Sequence, residues 1–376
     1  MSRGRVAVAG SIAQRPRRGG HAWVFLQYLL GFQRLGYEVL FVDRLTSEML
    51  PPGGSADEGV RWVAETMAAH GLEDSWAVLL DDGESAGLPR ERVREHLRGS
   101  VLLIDVMGFF EDEELAEAAP RRLFLDIDPG FPQMWQELGL HSSFGRHDAY
   151  ATVGLRVGKD GSVVPTCGIE WINTPQPVVL EHWPVTPPGE AYTSVASWRG
   201  PFGPVEYRGE RYGLRAHQMR AFAELPRRTG VPMELALEIE AADRGDEELL
   251  RDGGWSVVSP LQAAASTEGY RRYVQNSRAE VGVAKDMYVR SRGGWLSDRS
   301  ICYLASGKPV LAQATGFEVE VETGEGLLGF ADPEEAAAAV EAVESDYRRH
   351  SEAARALAEA RFDSDRVLGE LLEAAA

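Results

Sequence analysis

The segment 291–299 combines residue types that together can bind a phosphate group. It carries two adjacent glycines, two helix N-cap residues and two arginines, namely Gly293 and Gly294, Ser297 and Asp298, and Arg292 and Arg299. The glycines let backbone N–H groups approach a bulky anion, and a helix that starts at the N-cap residues would turn its positive end toward it. The guanidinium groups have a geometry suited to phosphate. A phosphate site is predicted here, with a tight turn between a strand and a helix as the alternative.

Two side chains beside these glycines are further candidates for the same site. Lys285 directly follows the apolar run 279–284, so it would stand at the end of a strand just before the glycines. A lysine in that position could contact the same phosphate. Trp295 either anchors the loop by packing or contacts the ligand.

Two carboxylates follow another apolar run, in the sequence RLFLDIDPG at 122–130. In a strand Asp126 and Asp128 would point to the same face and could hold a divalent metal. The sequence Asp128-Pro129-Gly130 is also strong turn chemistry, which explains the same residues without a metal. We therefore predict no metal site and place Asp128 at a ligand cleft.

Apolar runs that end on polar residues alternate with helical patterns along the chain. Residues 5–43 predict a strand, a glycine-rich loop, an amphipathic helix and a second strand, the βαβ unit from which parallel sheets are built. Further strands are predicted at 76–80, 101–105, 122–126 and 149–153, and a second series at 192–198, 233–239, 255–258, 279–284, 310–312 and 326–330. The expected fold is α/β, with two Rossmann-like lobes facing each other across a cleft.

A stretch rich in proline, glycine and tryptophan separates the two series of strands. It covers residues 158–188 and has little periodicity, so it is predicted to be irregular and to link two domains. The boundaries expected are a first lobe at 1–188, a second lobe at 189–350 and final helices at 351–376.

The motifs of both halves resemble those of GT-B-fold glycosyltransferases. In the first half, Gly19-Gly20-His21 follows the first strand and LGYEVLFVD enters the second, as in that family. In the second half, GGWLSDRSICYLASGKPVLAQATGFE resembles an atypical form of the donor-binding signature of family-1-like members, and the matching residues are Gly294, Trp295, Ser297, Gly307, Pro309 and Val310. The glutamate that binds the donor ribose in that signature has no counterpart here, and Asp298 is the only acid nearby.

The resemblance implies an activity and indicates which substrate each lobe would bind. The activity is transfer of a sugar from a UDP- or dTDP-sugar to a hydroxylated small-molecule acceptor, without a metal or other cofactor. The first lobe would bind the acceptor, the second the nucleotide sugar, and the final helices would cross back to the first lobe. Two alternatives remain: a sugar-nucleotide epimerase of the same fold, and a non-catalytic two-lobed binding protein, which the missing ribose glutamate favours.

The resemblance also implies roles for individual residues. His21 would be the general base of an inverting reaction, since an imidazole titrates close to neutral pH. Asp105, at the end of the run VLLID, would fix its tautomer. Arg199, after the first strand of the second lobe, would contact the donor diphosphate, and Gly20 and Asp128 would border the acceptor.

Composition narrows the class of protein. The chain has 376 residues, of which 44% are hydrophobic and 26% charged, as in globular proteins of two ordinary domains. Its net charge of −19 repels nucleic acids and anionic membranes unless a local basic patch exists. The basic N-terminal segment predicts a first strand better than a signal peptide, and no apolar run is long enough to span a bilayer. The two cysteines predict no disulfide framework. We expect a cytoplasmic protein that binds no nucleic acid, with a homodimer left open.

Overall fold

The computed structural model describes residues 3–50, 55–81 and 83–376. Strands and helices alternate through its first half. They are β1 (Arg5–Gly10), α1 (Gly19–Arg34), β2 (Glu38–Leu45), α2 (Ala56–Ala68), β3 (Trp76–Leu80), β4 (Ser85–Gly87), α3 (Arg90–Arg98), β5 (Ser100–Val106), α4 (Glu113–Ala116), β6 (Arg122–Asp126), α5 (Phe131–Glu137), β7 (Ala149–Thr152) and β8 (Ile172–Asn173).

The strands of this first lobe form one eight-stranded sheet in the order β4-β3-β2-β1-β5-β6-β7-β8. Neighbouring strands are parallel, except that β4 runs antiparallel to β3. The central strands β1 and β2 are buried along almost their whole length, which is why their sequences are continuous apolar runs. The carboxyl ends of the parallel strands meet at one edge of the sheet.

The second half repeats this alternation. Its elements are β9 (Tyr192–Ser197), β10 (Val205–Tyr207), β11 (Glu210–Tyr212), α6 (Arg215–Met219), α7 (Leu225–Thr229), β12 (Met233–Glu238), α8 (Arg244–Asp252), β13 (Ser256–Val258), α9 (Pro260–Ala263), α10 (Thr267–Gln275), β14 (Ala279–Gly282), α11 (Asp286–Ser291), α12 (Asp298–Ala305), β15 (Val310–Gln313), β16 (Leu327–Phe330), α13 (Pro333–Ser345), α14 (Tyr347–Arg361) and α15 (Ser364–Ala375).

Six of these strands form an all-parallel sheet in the order β13-β12-β9-β14-β15-β16. Counted along the chain, this is the order 3-2-1-4-5-6 of the doubly wound nucleotide-binding fold. The parallel strands β3-β2-β1-β5-β6-β7 of the first lobe follow the same order. The predicted architecture of two Rossmann-like lobes is confirmed.

Two stretches outside the predicted strands contain short ones, and one of them, 158–188, was predicted to be irregular. The polar loop 199–213 contains the hairpin β10–β11, which turns at Arg208 and Gly209, both with positive φ. The stretch 158–188 contributes β8 to the edge of the first sheet. These strands have two or three residues each, too few to show an alternating pattern in the sequence.

The two lobes contact each other on both sides of the cleft. On one side α1 packs against α10, where a Cβ atom on Gly20 would lie 2.8 Å from the Tyr270 ring. On the other side α5 of the first lobe shares a buried apolar cluster with the hairpin and α11 of the second, and its members include Phe131, Met134, Tyr207, Tyr212, Met287 and Tyr288. The two lobes are therefore joined by two separate contact regions beside the cleft.

The last helices return from the second lobe to the first. Helix α14 packs on α12, and α15 packs against α1. Arg34 of α1 pairs with Asp365 of α15 at 3.0 Å. Within the described residues, no helix combines the length and the apolar character needed to cross a bilayer.

Candidate functional site

A cavity of about 350 Å³ lies between the lobes. The carboxyl ends of β1, β5 and β6 face those of β9, β12 and β14 there, the edge at which open α/β sheets bind ligands. The predicted site residues that line it are Gly20, His21, Asp128, Lys285, Trp295, Ser297, Asp298 and Arg299. Those that are not among its described lining residues are Asp105, Arg199, Gly293 and Gly294.

His21 lies in the first turn of α1, directly after the loop that follows β1. Its Nε2 atom is 3.0 Å from the carbonyl oxygen of Ser11. Because a carbonyl oxygen only accepts, Nε2 carries the proton of the neutral ring and Nδ1 is left as a proton acceptor. Burial lowers the pKa of His21 to about 4; the hydrogen bond to Ser11 and the charge of Asp128 oppose this shift, and the charge of Arg15 adds to it. The ring is therefore neutral near pH 7.

The prediction that Asp105 orients His21 is wrong. Successive strand residues point to opposite faces of a sheet, and on β5 Ile104 packs in the same apolar cluster as α1, whereas Leu103 packs in the cluster on the other face. Asp105 shares the side of Leu103 and so faces away from α1. Its carboxylate accepts from the backbone N–H of Phe110 at 3.1 Å and pairs with Nε2 of His147 at 3.1 Å.

Asp128 joins the two lobes at the centre of the cavity. It follows β6 and is positioned by its backbone N–H, which donates to Asp126 at 2.9 Å. Its carboxylate accepts hydrogen bonds from Nζ of Lys285, at 2.8 Å, and from the hydroxyl of Tyr288. Both donors belong to the second lobe. Lys285 also lies 3.0 Å from the Tyr288 hydroxyl. The cation predicted for a phosphate is thus neutralised by a first-lobe carboxylate.

The two glycines of segment 291–299 do not form a phosphate site. The carbonyl oxygens of Gly293 and Gly294 accept from the backbone N–H groups of Arg156 and Leu155 in the first lobe, at 2.9 and 3.3 Å. The N–H of Gly294 donates to the carbonyl of Thr315 at 2.9 Å, so it is unavailable to an anion. A side chain on Gly294 would meet the backbone nitrogen of Arg156 at 2.9 Å. The glycines therefore permit close contact between the lobes.

The residues after the glycines do face the cavity. The hydroxyl of Ser297 caps α12 by accepting from the N–H of Arg299 at 3.2 Å, so this helix starts where the sequence predicted. Asp298 lies between the lobes, and burial raises the pKa of its carboxyl group. The Arg299 guanidinium is held by Glu280 of β14, and the ring of Trp295 stacks on Tyr288 with centroids 4.2 Å apart.

Arg199 does not line the cavity, whereas another arginine, Arg215, does. Arg199 lies half-exposed outside the cavity and forms a two-pronged ion pair with Asp243 at 2.7 Å. Arg215, the first residue of α6, is 8% exposed and lines the cavity. One of its nitrogens donates to the carbonyl of Val283, and its buried Nε has no partner among the described residues. Burial, with the added charge of Arg299, lowers the pKa of Arg215 to about 10.

Only a weak signal for Arg215 is present in the sequence. It stands shortly after Gly213, where α6 begins, but five arginines occur from 199 to 220 and nothing in the pattern separates them. In the described part of the chain, no group of three or more His, Cys, Asp or Glu side chains could hold a metal ion.

Comparisons with known proteins identify the fold. No protein-family model matches the chain, and no curated protein matches its sequence. Solved structures match over its whole length. Sucrose-phosphate synthase from Thermosynechococcus elongatus matches at 14% identity and a TM-score of 0.57, covering 99% of both chains. The chain has the GT-B fold.

Two further GT-B structures were solved with nucleotide ligands. HepE from Anabaena in complex with UDP-glucose matches at 11% identity and a TM-score of 0.61, covering 99% of this chain and 100% of that chain. An alpha-glucosyltransferase in complex with UDP and a 13-mer DNA matches at 11% identity and a TM-score of 0.61, covering all of both chains. At these identities the similarity establishes the GT-B fold, and the predicted fold class is correct.

Proposed function

We propose that this GT-B protein is a glycosyltransferase that uses a nucleoside diphosphate sugar. The observation that carries the proposal is the buried Arg215, whose Nε points to no partner among the described residues although the residue lines a cavity at the carboxyl edge of a Rossmann-like sheet. A buried guanidinium nitrogen without a hydrogen-bond partner is costly, and an anion bound in the cavity would offset that cost. Lys285 and the N-terminus of α12 border the same space. Together they suit a diphosphate.

Each lobe binds one of the two substrates. Residues 189–350 carry these cations and bind the donor, residues 1–188 carry His21 and bind the acceptor, and residues 351–376 brace the first lobe through α15. A UDP-sugar is the proposed donor because HepE and the alpha-glucosyltransferase were solved with UDP or UDP-glucose. Asp298 is the proposed partner of the ribose hydroxyls, since it lines the cavity at the start of α12.

The residues of the cavity suit an inverting transfer. Nδ1 of His21 accepts the proton of the acceptor hydroxyl as its oxygen bonds to the anomeric carbon of the sugar. The bond from that carbon to the diphosphate oxygen breaks, and its electron pair leaves with the nucleoside diphosphate. Arg215 and Lys285 stabilise the charge that develops on the leaving group, so the proposed chemistry requires no metal.

The acceptor proposed is a small hydroxylated molecule. The DNA in the alpha-glucosyltransferase complex belongs to that protein. The present chain has a net charge of −19, which disfavours binding along a nucleic-acid backbone. Apolar residues on the first-lobe wall, Phe25, Met107 and Phe109, suit an acceptor with an apolar or aromatic portion.

Isothermal titration of the protein with UDP and with dTDP tests the proposal. We expect one nucleotide to bind to the wild type, and Arg215→Gln to raise its Kd by about tenfold or more, because a buried charge contact with the diphosphate is lost. Arg199→Gln is the matched control and should leave the Kd unchanged, since Arg199 lies outside the cavity. Failure of UDP, dTDP and their sugar conjugates to bind would favour the non-catalytic alternative.

A further inference from the structure

Lys285 borders the cavity, but one carboxylate and three aromatic rings surround its ammonium group. Its side chain is only 12% exposed. The Nζ atom lies 5.1 Å from the ring centroids of both Phe131 and Tyr288, and 5.6 Å from that of Phe202. Such rings stabilise a cation through their faces. Its strongest partner, however, is the carboxylate of Asp128 at 2.8 Å.

The residues around the Lys285 ammonium group come from both lobes. Phe202, Tyr288 and Lys285 itself belong to the second lobe, whereas Asp128 and Phe131 flank the turn between β6 and α5 in the first. The Asp128 side chain is 21% exposed and lines the cavity, as Lys285 does. A negatively charged oxygen thus already bonds to the lysine at the cavity.

Charge balance explains the presence of this carboxylate beside Lys285. Lys285 and Arg215 border the same cavity, and Arg299, whose charge acts on Arg215, is neutralised by Glu280. Without Asp128, neither Lys285 nor Arg215 would have a carboxylate at ion-pair distance among the described residues, a costly arrangement for poorly exposed cations. A diphosphate carries more negative charge than one carboxylate and can satisfy both cations at once.

We propose that Asp128 occupies the place of a donor phosphate oxygen on Lys285 while the site is empty, and that donor binding displaces it. This inference rests on the proposed function and adds a regulatory step to the same site. Asp128 competes with the donor, so it lowers donor affinity.

The test is the affinity of UDP and dTDP for the full-length variant Asp128→Asn, measured by isothermal titration. The amide keeps the shape of the side chain but removes the competing charge. We expect the Kd of the bound nucleotide to fall by about fivefold or more, the opposite of what loss of a ligand contact or of local structure would produce. In a Lys285→Met background, the same substitution should leave the Kd unchanged.

Glu238→Gln is the matched control for the effect of bulk charge. Glu238 lines the same cavity and also forms an ion pair across the lobes, but with Arg18. Its substitution should change the Kd less than Asp128→Asn does. Tyr288→Phe is a second variant, which retains the aromatic ring. It removes one hydrogen-bond donor to Asp128, so it should also lower the Kd.

The outcomes separate the two proposals. If the wild type binds nucleotide and Asp128→Asn binds it equally or more weakly in a folded state verified by circular dichroism, the competition by Asp128 is disproved and the proposed function stands. An equal fall in Kd for Glu238→Gln would also overturn it in favour of bulk charge. If the wild type binds neither UDP, dTDP nor their sugar conjugates, the proposed function fails and the inference fails with it.

Discussion

At the scale of single residues, the protonation state of His21 is set by the groups around its ring. Its ring is partly buried against Phe25, which favours the neutral form, and Nε2–H donates to the carbonyl oxygen of Ser11, which leaves Nδ1 bare. A base of low pKa is a weak proton acceptor but is available over a wide pH range. The negative charge of Asp128, and not that of Asp105, increases its basicity.

This setting predicts the pH dependence of transfer. Because the pKa of His21 is lowered to about 4, the ring stays unprotonated above that value and becomes protonated below it. We expect kcat/KM, which reports the free enzyme, to be retained well below pH 6.5 and to fall only as the pH approaches 4. His21→Ala should reduce kcat by about 100-fold or more and leave the Kd for nucleotide nearly unchanged. Loss of nucleotide binding together with transfer would contradict the role as base.

At the scale of elements, segment 291–299 with its two glycines joins the lobes. Three backbone hydrogen bonds run from the first lobe to this segment, and the third joins the N–H of Val163 to the carbonyl of Ser291 at 2.8 Å. Arg156 adds an ion pair to Glu320 at 3.0 Å. The close approach requires a glycine at 294, which also has a positive φ of 77°.

Substitution of Gly294 distinguishes the junction from a phosphate site. Gly294→Ala combines a strained backbone, worth about 1–2 kcal/mol, with a clash against the Arg156 backbone, so we expect a loss of stability of about 3 kcal/mol or more. Gly230→Ala is the control, since Gly230 has a φ of 70° and no atom near its missing Cβ. Chemical denaturation measures both, and titration with UDP should give the wild-type Kd for each folded variant. Selective loss of UDP binding in Gly294→Ala would restore the phosphate interpretation.

The same segment shows what sequence could and could not predict. The positions of most strands were accessible because buried strands such as β1 are apolar runs, and the start of α12 was accessible because Ser297 is a local signal. The use of Gly293 and Gly294 was not, because it depends on the loop at 155–163 that folds against them from the other lobe. Sequence singled out Arg199 rather than Arg215 for the same reason: only the fold shows that Arg199 pairs with a carboxylate and that Arg215 lines the cavity.

At the scale of the whole molecule, the lobes behave as parts of one packed body. The largest apolar cluster contains Val8 of β1 and Phe41 of β2 together with Tyr303 of α12 and Leu327 of β16, so it crosses from one lobe to the other. Helix α15 extends this core over α1. Gly31 of α1 allows the approach, because a Cβ atom there would lie 2.5 Å from Leu368 Cδ1 and 3.0 Å from Ser364 Cβ.

A pair of glycine substitutions measures this return of the chain to the first lobe. Gly369 lies in α15 with no atom within 4 Å of its missing Cβ, so Gly369→Ala should stabilise the protein by up to about 1 kcal/mol through helix propensity alone. Gly31→Ala has the same propensity gain within α1, but it forces apart two helices whose contact is fully buried at Leu368. We expect it to destabilise the protein by about 1–3 kcal/mol in urea unfolding. Equal stabilisation by both substitutions would mean that α15 does not pack against α1 in solution, and the first lobe would then lack its proposed brace.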